Sequence, residues 1–518
     1  MDADYQVFAI LPPYNTIHAQ LVDAQGNLVQ DLAGLGITVT YEAVPDASGS
    51  INSTSAGKTN FWDHVAALFA ASPPVDEGLA GSRMPGPANT PQPMTWEPEH
   101  DWFTAEAIPL TPYDDGYRRN PYPMMRLVAR DSTGAVLATS DIVLPVSDEM
   151  NCRACHASGA DPAARPAAGW VNAPHPVRDE RLNILRLHDE RHLGEPLYQT
   201  ALSSNGYAAS GLFDTATRFG HAVLCANCHP SNALPGHGVA DVPPLTQVIH
   251  GFHAHVRDPD TGMSLDDASN RDACYRCHPG ATTQCLRGAM GGSVAGDGSR
   301  AIQCQNCHGA LSRVGSPARQ GWFDEPVCQS CHTGTATRNN GQIRYTSVFE
   351  PDGTVRQAVD DTFATNPDTP DIGLSLYRFS SGHGGLHCEA CHGSTHAIFP
   401  TIHANDNVYS QQLQGHRGTL VECTACHASQ PQTETGGPHG MHPVGQSWVE
   451  DHKHAAEHGG LAGCRRCHGG DDRGTVLSQS HADRTLSTDF GPKHFWRGFR
   501  IGCYTCHNGP HDEHANPN

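Results

Sequence analysis

Cysteine and histidine are the side chains here best suited to metal chemistry, and they recur in a fixed order. The chain has 518 residues, with 19 Cys and 34 His. Eighteen cysteines form nine Cys-x-x-Cys pairs, and a histidine directly follows every pair. The nine motifs are Cys152/Cys155/His156, Cys225/Cys228/His229, Cys274/Cys277/His278, Cys304/Cys307/His308, Cys328/Cys331/His332, Cys388/Cys391/His392, Cys423/Cys426/His427, Cys464/Cys467/His468 and Cys503/Cys506/His507.

A cysteine pair followed by histidine is the attachment pattern of c-type haem. Two cysteines three apart on one helical turn face the same side, so both can form thioethers with the vinyl groups of one porphyrin. The next residue then places its imidazole beneath the ring as the proximal iron ligand. Zinc knuckles and disulfides also use paired cysteines, but neither requires the histidine. We therefore predict nine haem c groups.

The remaining histidines are numerous enough to supply a second axial ligand to every iron. Nine of the 34 belong to the motifs, which leaves 34 − 9 = 25. A distal His gives a low-spin centre of low potential, whereas Met would raise the potential. The candidates with the best sequence settings are His188, His250, His253, His383, His396, His416, His439, His442 and His452.

Local patterns support several of these candidates. His188 shares a helical stripe with Leu185, and His250 and His253 are three apart, so that one turn could serve two haems. His383 and His416 lie in short loops flanked by glycine, which lets a ring approach the backbone. A histidine near one motif is also a candidate for the distal face of a neighbouring haem, which would hold the rings close together. Met290 and Met441 are alternative thioether ligands, although both also suit core packing.

The composition is short of core-forming side chains for a chain of this length. Apolar residues make up 38% and aromatic residues 7%, with 53 Gly and 38 Pro. Nine porphyrins would supply the missing apolar bulk. The formal net charge of −21 disfavours binding to nucleic acid or to an anionic lipid surface. No run of 18 or more apolar residues exists, so we expect no transmembrane segment.

The predicted chemistry also indicates a location. Thioether attachment of haem takes place outside the cytoplasmic membrane, so we expect export to the extracellular space or the cell surface. The first residues, MDADYQVFAI, lack the basic, apolar and small-residue order of a signal peptide. The sequence therefore reads as a mature or truncated form.

Three regions of the chain differ in composition and sequence pattern. Residues 1–148 contain no Cys and hold β-rich runs such as GITVTYEAV, MMRLVARD and AVLATSDIVLPV, which predict an N-terminal β-sandwich-like domain. Residues 149–345 carry five motifs and residues 346–518 carry four. For both we predict a loop-rich, mainly short-helix multihaem cytochrome c region with little regular secondary structure. The clearest helix is DERLNILRLHDERH.

Several stretches carry a family resemblance, namely CYRCHPGATTQCLRGAM, GHGGLHCEACHGSTHAI, LQGHRGTLVECTACH and GPHGMHPVGQ. In these the chain resembles the large extracellular multihaem c-type cytochromes of metal-reducing and syntrophic bacteria. ILPPYNTIHAQ and GSINSTSAGKTNFW extend the resemblance to the N-terminal region. It implies electron transfer, stacked haems and bis-His ligation, and it favours all nine distal candidates, of which His383, His396, His416, His439 and His442 lie in the stretches quoted. Some members of this family polymerise into filaments with a continuous chain of haems.

Three functional hypotheses follow. The first is an extracellular electron conduit through closely spaced haems, with other redox proteins or extracellular acceptors as partners and no catalysis of its own. The alternative is a multihaem oxidoreductase for small nitrogen or sulfur compounds, with one open-coordination haem. The third, compatible with the first, is a filament subunit with head-to-tail contacts, in which His18, His511 or His514 caps a haem of the next copy. The unpaired Cys285 suits a buried free thiol, an intermolecular disulfide or a redox thiol.

Overall fold

The computed structural model describes residues 1–32, 34–147, 150–278, 283–319, 328–333, 335, 345–357 and 377–512. The chain divides into two units, and each contains predicted attachment motifs. Unit 1 comprises Met1–Ala19, Asp31–Leu286 and Gln303–Asp324, and unit 2 comprises Gln20–Gln30, Arg287–Ile302 and Glu325–Asn518. The first four motifs fall in unit 1 and the last five in unit 2. This division differs from the three predicted segments, because unit 1 joins the β-rich residues to four motifs.

Unit 1 contains two antiparallel sheets in its N-terminal part. One has the order β4-β3-β7-β8 and the other the order β2-β6-β5. The strands are β2 (Ile17–Ala19), β3 (Thr38–Val44), β4 (Gln92–Pro93), β5 (Thr95–Glu97), β6 (Trp102–Ala105), β7 (Met124–Arg130) and β8 (Val136–Val143). The runs GITVTYEAV, MMRLVARD and AVLATSDIVLPV supply β3, β7 and β8, which are neighbours in the larger sheet. In β3, Val39, Tyr41 and Ala43 are buried, as period-two alternation requires.

The remaining part of unit 1 is built from short helices. They are α1 (Phe61–Phe69), α2 (Arg153–His156), α3 (Pro176–His192), α4 (Pro196–Ser204), α5 (Leu212–Thr217), α6 (Leu245–His253), α7 (Cys304–His308) and α8 (Leu311–Val314). Helix α3 contains the predicted segment DERLNILRLHDERH and begins with Pro176, where a missing N–H costs nothing. Its Leu185 is buried, as the helical stripe predicts.

The β-rich residues and the short helices of unit 1 share a core. Strand β1 (Phe8–Ala9) pairs in parallel with β9 (Val223–Leu224), which directly precedes the second motif. Phe8 packs with Leu182 and Leu185 of α3, and Cys225 and Cys228 border the same cluster. The buried Arg181 donates to the carbonyl oxygens of Asp4 at 2.6 Å and Phe8 at 2.8 Å, and it forms an ion pair with Asp2. The N-terminal segment therefore helps to position the second motif.

Unit 2 has shorter elements separated by loops. Its helices are α9 (Cys388–His392), α10 (Val408–Gln414), α11 (Gln446–Gly459) and α12 (Leu461–His468). The antiparallel hairpin of β10 (Arg484–Thr488) and β11 (Gly491–Phe495) precedes the last motif. Arg287 and Asp406 form a buried bidentate ion pair at 2.6 and 2.9 Å, which fixes the loop after α9.

A hairpin from near the N-terminus also belongs to unit 2. Its tip, residues 20–30, is closed by the bridge between Val22 and Leu28. The Asp23 carboxylate accepts from the backbone N–H groups of Gln25 and Asn27, both at 2.8 Å. These hydrogen bonds stabilise the turn and lower the pKa of Asp23.

Among the described residues, we find no helix that combines the length and the apolar character needed to cross a membrane. This agrees with the absence of a long apolar run in the sequence.

Candidate functional site: paired histidine rings at the cysteine motifs

Each of the nine Cys-x-x-Cys-His motifs lies on a single helical turn. Four turns are α-helical (α2, α7, α9 and the end of α12), and the other five are 3₁₀ turns. In the second motif, for example, the His229 N–H donates to the Cys225 carbonyl at 3.0 Å, and in the seventh His427 donates to Cys423 at 2.9 Å. The turn brings the two thiols of a motif to one side, as the spacing predicts.

The thiols of the motifs are not consumed by disulfide bonds. All 19 cysteines lie within the described residues, and none is joined in a disulfide. Most motif thiols are half-buried, and burial raises the pKa of Cys228, Cys277 and Cys391 to about 11. These three sulfurs are therefore neutral thiols at pH 7 in the chain alone.

Seven motif histidines face a second histidine ring at a nearly constant distance. The seven pairs, with the distance between ring centres, are His156–His253 (6.5 Å), His188–His229 (6.4 Å), His250–His278 (6.0 Å), His392–His439 (6.0 Å), His383–His427 (6.2 Å), His442–His468 (6.2 Å) and His452–His507 (6.3 Å). In each pair, the ring that does not belong to a motif is one of the nine distal candidates.

This distance suits two imidazoles that share one metal ion from opposite sides. A histidine nitrogen binds a transition metal at about 2.0 Å and lies about 1.1 Å from its ring centre, so collinear ligands have centres about 6.2 Å apart. The seven distances lie on both sides of this value. Contacts between helical neighbours differ, since His454 and His458 stack at 4.1 Å.

Backbone carbonyls orient many of these rings through Nδ1. The Nδ1 atoms of eight paired histidines lie 2.6–3.0 Å from a carbonyl oxygen. The eight are His229, His250, His253, His427, His442, His452, His468 and His507. Since Nδ1–H donates to the carbonyl, the lone pair of Nε2 remains available to a metal, which is the usual outer arrangement of a metal-binding histidine.

Burial favours the neutral form of these rings, which is the form that binds metal. It lowers the pKa of His156, His250, His392 and His442 to about 4 and that of His188 to about 3. The neighbouring ring of each pair lowers the pKa further. For His156 and His188, Nδ1 is buried and has no hydrogen-bond partner among the residues that the structure describes.

In unit 1, α6 serves two motifs at once. His250 and His253 lie on the same helix, and they face His278 of the third motif and His156 of the first. The two motifs also touch directly, because the Asn151 N–H donates to the Cys277 carbonyl at 2.7 Å. The sequence predicted that one turn could cap two haems; the two rings of this turn face histidines of two motifs, and the haem ligation itself stays a prediction.

Contacts extend the series to the other two motifs of unit 1. On α3, Asn183 donates to the His156 carbonyl at 3.0 Å, while His188 faces His229 of the second motif. Cys274 and Cys304, in the third and fourth motifs, lie within interaction range of each other, and the side chain of Cys304 is the first cause of the raised pKa of Cys274. In unit 1 the second motif is therefore next to the first, the first is next to the third, and the third is next to the fourth.

The two thiols of the fourth motif have different surroundings. Cys307 is a half-buried thiol on α7, whereas Cys304 interacts with the side chain of Cys274 in the third motif, and this interaction is the first cause that lowers the pKa of Cys304 to about 7. Because a thioether consumes the thiol hydrogen, attachment of a porphyrin would replace this interaction. The attachment role of Cys307 therefore stays a prediction that rests on its spacing from Cys304 and His308.

The motifs of unit 2 form two groups of neighbours. His332 lies within electrostatic range of His392, and the Leu420 N–H donates to the Cys391 carbonyl at 3.0 Å, next to the seventh motif. The fifth, sixth and seventh motifs thus follow in order. The eighth and ninth adjoin each other, because His468 Nδ1 lies 2.7 Å from the Ile501 carbonyl oxygen.

Two of the nine distal candidates have a different setting. The carbonyl of His396 accepts from the N–H groups of Arg287 and Gly288, both at 2.9 Å. Nε2 of His416 lies 3.0 Å from Glu422 Oε1, so a carboxylate engages the nitrogen that an iron would need. The ligand roles of both histidines stay predictions, as do the second ligands opposite His308 and His332.

The other residues singled out in the sequence have varied positions. His18 stacks on Trp102 with ring centres 3.6 Å apart, and Cys285 is a half-buried thiol 3.6 Å from Thr283 Oγ1. Met290 and Met441 are both half-buried. His511 is exposed, and His514 lies outside the described residues.

Sequence reasoning missed the backbone acceptors that orient the rings. His427 Nδ1 lies 2.8 Å from the carbonyl oxygen of Gln25, 402 positions away, and the His229 acceptor is Pro243. Carbonyl groups occur at every residue, so no residue type could have indicated them.

Within the described ranges, no group of three or more His, Cys, Asp or Glu side chains is arranged to hold a metal ion by itself. Comparison of the chain with family models, with curated proteins and with solved structures gave no significant match.

Proposed function

We propose that this chain is a nonahaem c-type cytochrome that conducts electrons outside the cytoplasmic membrane. The observation that carries the proposal is the set of seven ring pairs with centres 6.0–6.5 Å apart, each containing one motif histidine. When bound, haem c supplies an iron that alternates between two oxidation states. The cysteines of each motif would hold the porphyrin, and the paired histidines would occupy the two axial positions.

The protein's part in this function is spacing and ligation. For eight of the paired rings, a carbonyl acceptor of Nδ1 fixes the ring and its tautomer, which leaves Nε2 available to a metal. Rings held by the backbone resist rotation, so the histidines of a pair would remain available as iron ligands when the charge of the iron changes. Because the pairs close both faces, the arrangement favours electron transfer over binding of a substrate to iron.

Contacts between motifs support a path rather than isolated centres. In unit 1 the second, first, third and fourth motifs adjoin in that order, through α3, α6 and the contact of Cys274 with Cys304. In unit 2 the fifth, sixth and seventh motifs form one series, and the eighth and ninth form a pair. An electron could pass along each series without leaving the unit.

The extracellular location rests on the attachment chemistry, which takes place after export. We propose that the partners are other redox proteins or extracellular electron acceptors. The formal charge of −21 suits cationic partner surfaces and soluble behaviour at high concentration.

Two measurements on the isolated holoprotein test the proposal. Intact mass should show nine covalently attached haems, and carbon monoxide should bind none of them after dithionite reduction. A mass equal to that of the chain without haem would contradict the proposal. Carbon monoxide binding at one haem per chain would instead favour the oxidoreductase alternative, because an open iron position is the requirement of that function.

A further inference from the structure

A cavity of about 690 Å³ lies in unit 2 beside the seventh motif, and no motif cysteine or motif histidine lines it. Its walls come from the loop after α10, from Glu422 and Thr424 on either side of Cys423, and from residues near the β10–β11 hairpin. The cavity therefore adjoins the seventh motif without being the space between its paired rings, His383 and His427.

The loop that forms one wall is held in place by a single side chain. Gln414 donates to the carbonyl oxygens of His416 at 3.3 Å, Gly418 at 3.1 Å and Thr419 at 3.1 Å, and its own carbonyl accepts from the Val421 N–H at 3.0 Å. This wall is thus ordered by its own hydrogen bonds. Such a preformed wall reduces the entropy cost of binding a ligand.

The charged lining is dominated by guanidinium groups. Arg417, Arg484 and Arg497 line the cavity, against the carboxylates of Glu422 and Asp483. Counting these five groups gives 3 − 2 = +1, in a chain whose formal net charge is −21. A local excess of positive charge in so acidic a chain needs an explanation.

The two carboxylates are already engaged. Glu422 forms an ion pair with Arg484 and also lies 3.0 Å from His416 Nε2, and these partners lower the pKa of Glu422 in spite of its burial. Asp483 Oδ1 accepts from the backbone N–H of Arg497 at 2.9 Å. Arg417 and Arg497 form no ion pair with a described residue, and partial burial, followed by repulsion from Arg417, lowers the pKa of Arg497.

The lining also contains imidazole groups. His481 lines the cavity together with the three arginines. A neutral imidazole can donate one hydrogen bond to an anion without adding a charge. Arg417, Arg497 and His481 therefore present donors around one space.

We propose that this cavity binds a small solute carrying two or more carboxylate or phosphate groups. Arg417 and Arg497 would each bind one anionic group, since a guanidinium matches the planar or tetrahedral oxygen arrangement of both. The volume exceeds that of a single phosphate, which is why the ligand class is a multiply charged one. Binding does not rest on the proposed electron transfer, although it would hold the solute next to the seventh motif.

The test is calorimetric titration of the holoprotein with citrate and with inorganic pyrophosphate, at fixed ionic strength in a cationic buffer. We expect saturable binding at one site per chain for at least one probe. R497Q should weaken this binding by about tenfold to a hundredfold, as loss of a charge-assisted contact does, and R417Q should act in the same direction. The matched control R500Q removes the same charge from an exposed arginine outside the cavity and should change the affinity less than twofold.

Haem content and the visible spectrum establish that each variant is folded and loaded. Absence of binding to the wild-type protein would overturn the proposal. In that case a shift of one haem's midpoint potential in R497Q would identify a haem propionate as the group that the arginines neutralise. Equal weakening by R497Q and R500Q would also overturn it, because the binding would then reflect general surface charge.

Discussion

Gly26 lies directly against the imidazole ring of His427, and no side chain fits between them. The backbone at Gly26 has φ +88°, and a Cβ atom built there would collide with the ring. The preceding residue, Gln25, accepts the Nδ1 hydrogen bond of the same ring at 2.8 Å. The hairpin tip therefore both supports His427 and limits its position.

This contact predicts a specific effect of G26A. The methyl group should displace the His427 ring, lengthen its bond to Gln25 and disturb one haem of nine. We expect a fractional high-spin signal and a loss of stability of about 3 kcal/mol, from strain and overpacking together. Absorption spectra and denaturant titration of the holoprotein measure both. G134A is the matched control, since Gly134 has φ +87° but open space around the Cβ position, and it should cost only about 1 kcal/mol. Equal behaviour of the two variants would contradict the assigned contact.

The pairing of His452 with His507 predicts the result of removing one distal ring. In H452A the thioethers should keep the ninth haem attached, while its iron gains an open position that binds carbon monoxide, at one additional site per chain. H454A provides the control two positions away on α11, because His454 contacts His458 and Glu434 rather than a motif histidine. H454A should bind no additional carbon monoxide. A fully low-spin H452A protein would show that another residue ligates this iron.

The angles between paired rings predict two classes of ferric centre. The planes are nearly parallel in His250–His278 (17°), His442–His468 (12°) and His452–His507 (16°), and steep in His156–His253 (75°) and His188–His229 (83°). The mutual orientation of two axial imidazoles sets the splitting of the iron d orbitals. The oxidised protein should therefore show both rhombic and strongly axial low-spin signals in electron paramagnetic resonance. A single uniform class would mean that the bound haems reorient the rings.

The buried carboxylate of Asp189 lies on the helix that carries His188, and we expect it to contribute to the stability of the fold. It accepts from Tyr198 Oη at 2.5 Å and from the N–H groups of Leu212 at 2.9 Å and Phe213 at 2.8 Å. D189N keeps one acceptor oxygen but loses the charge, so we expect a loss of about 1–3 kcal/mol in the free energy of unfolding. D214N, which breaks a largely exposed pair with Arg218, should cost about 0.5 kcal/mol or less. A D189N protein as stable as D214N would count against this role.

Local features of the site could be predicted from sequence because they depend on short spacings. The helical turn at every motif and the helix around Leu185 and His188 follow from residues three or four apart. The spacing of His250 and His253 likewise indicated that one helix could face two motifs. These predictions needed only the geometry of one or two turns.

Features that depend on distant parts of the chain could not be predicted in this way. The grouping of residues 20–30 with the later motifs and the Gln25 acceptor of His427 arise from tertiary contacts without a residue-type signal. His416 has a glycine-flanked setting similar to that of His383. In the folded chain, however, its Nε2 contacts the carboxylate of Glu422. Sequence setting alone does not distinguish these two histidines.

The contact between Gln25 and His427 also constrains the order of assembly. The two residues are separated by 402 positions, so the support for this ring is missing until most of the chain has been made and brought together. Closing a loop of this length is entropically costly, and the hairpin tip must remain unattached while the earlier motifs fold. The haem that we propose at the seventh motif would therefore be attached before or during a late docking step, and a hairpin variant should lower the yield of mature protein more than it alters the protein that does mature.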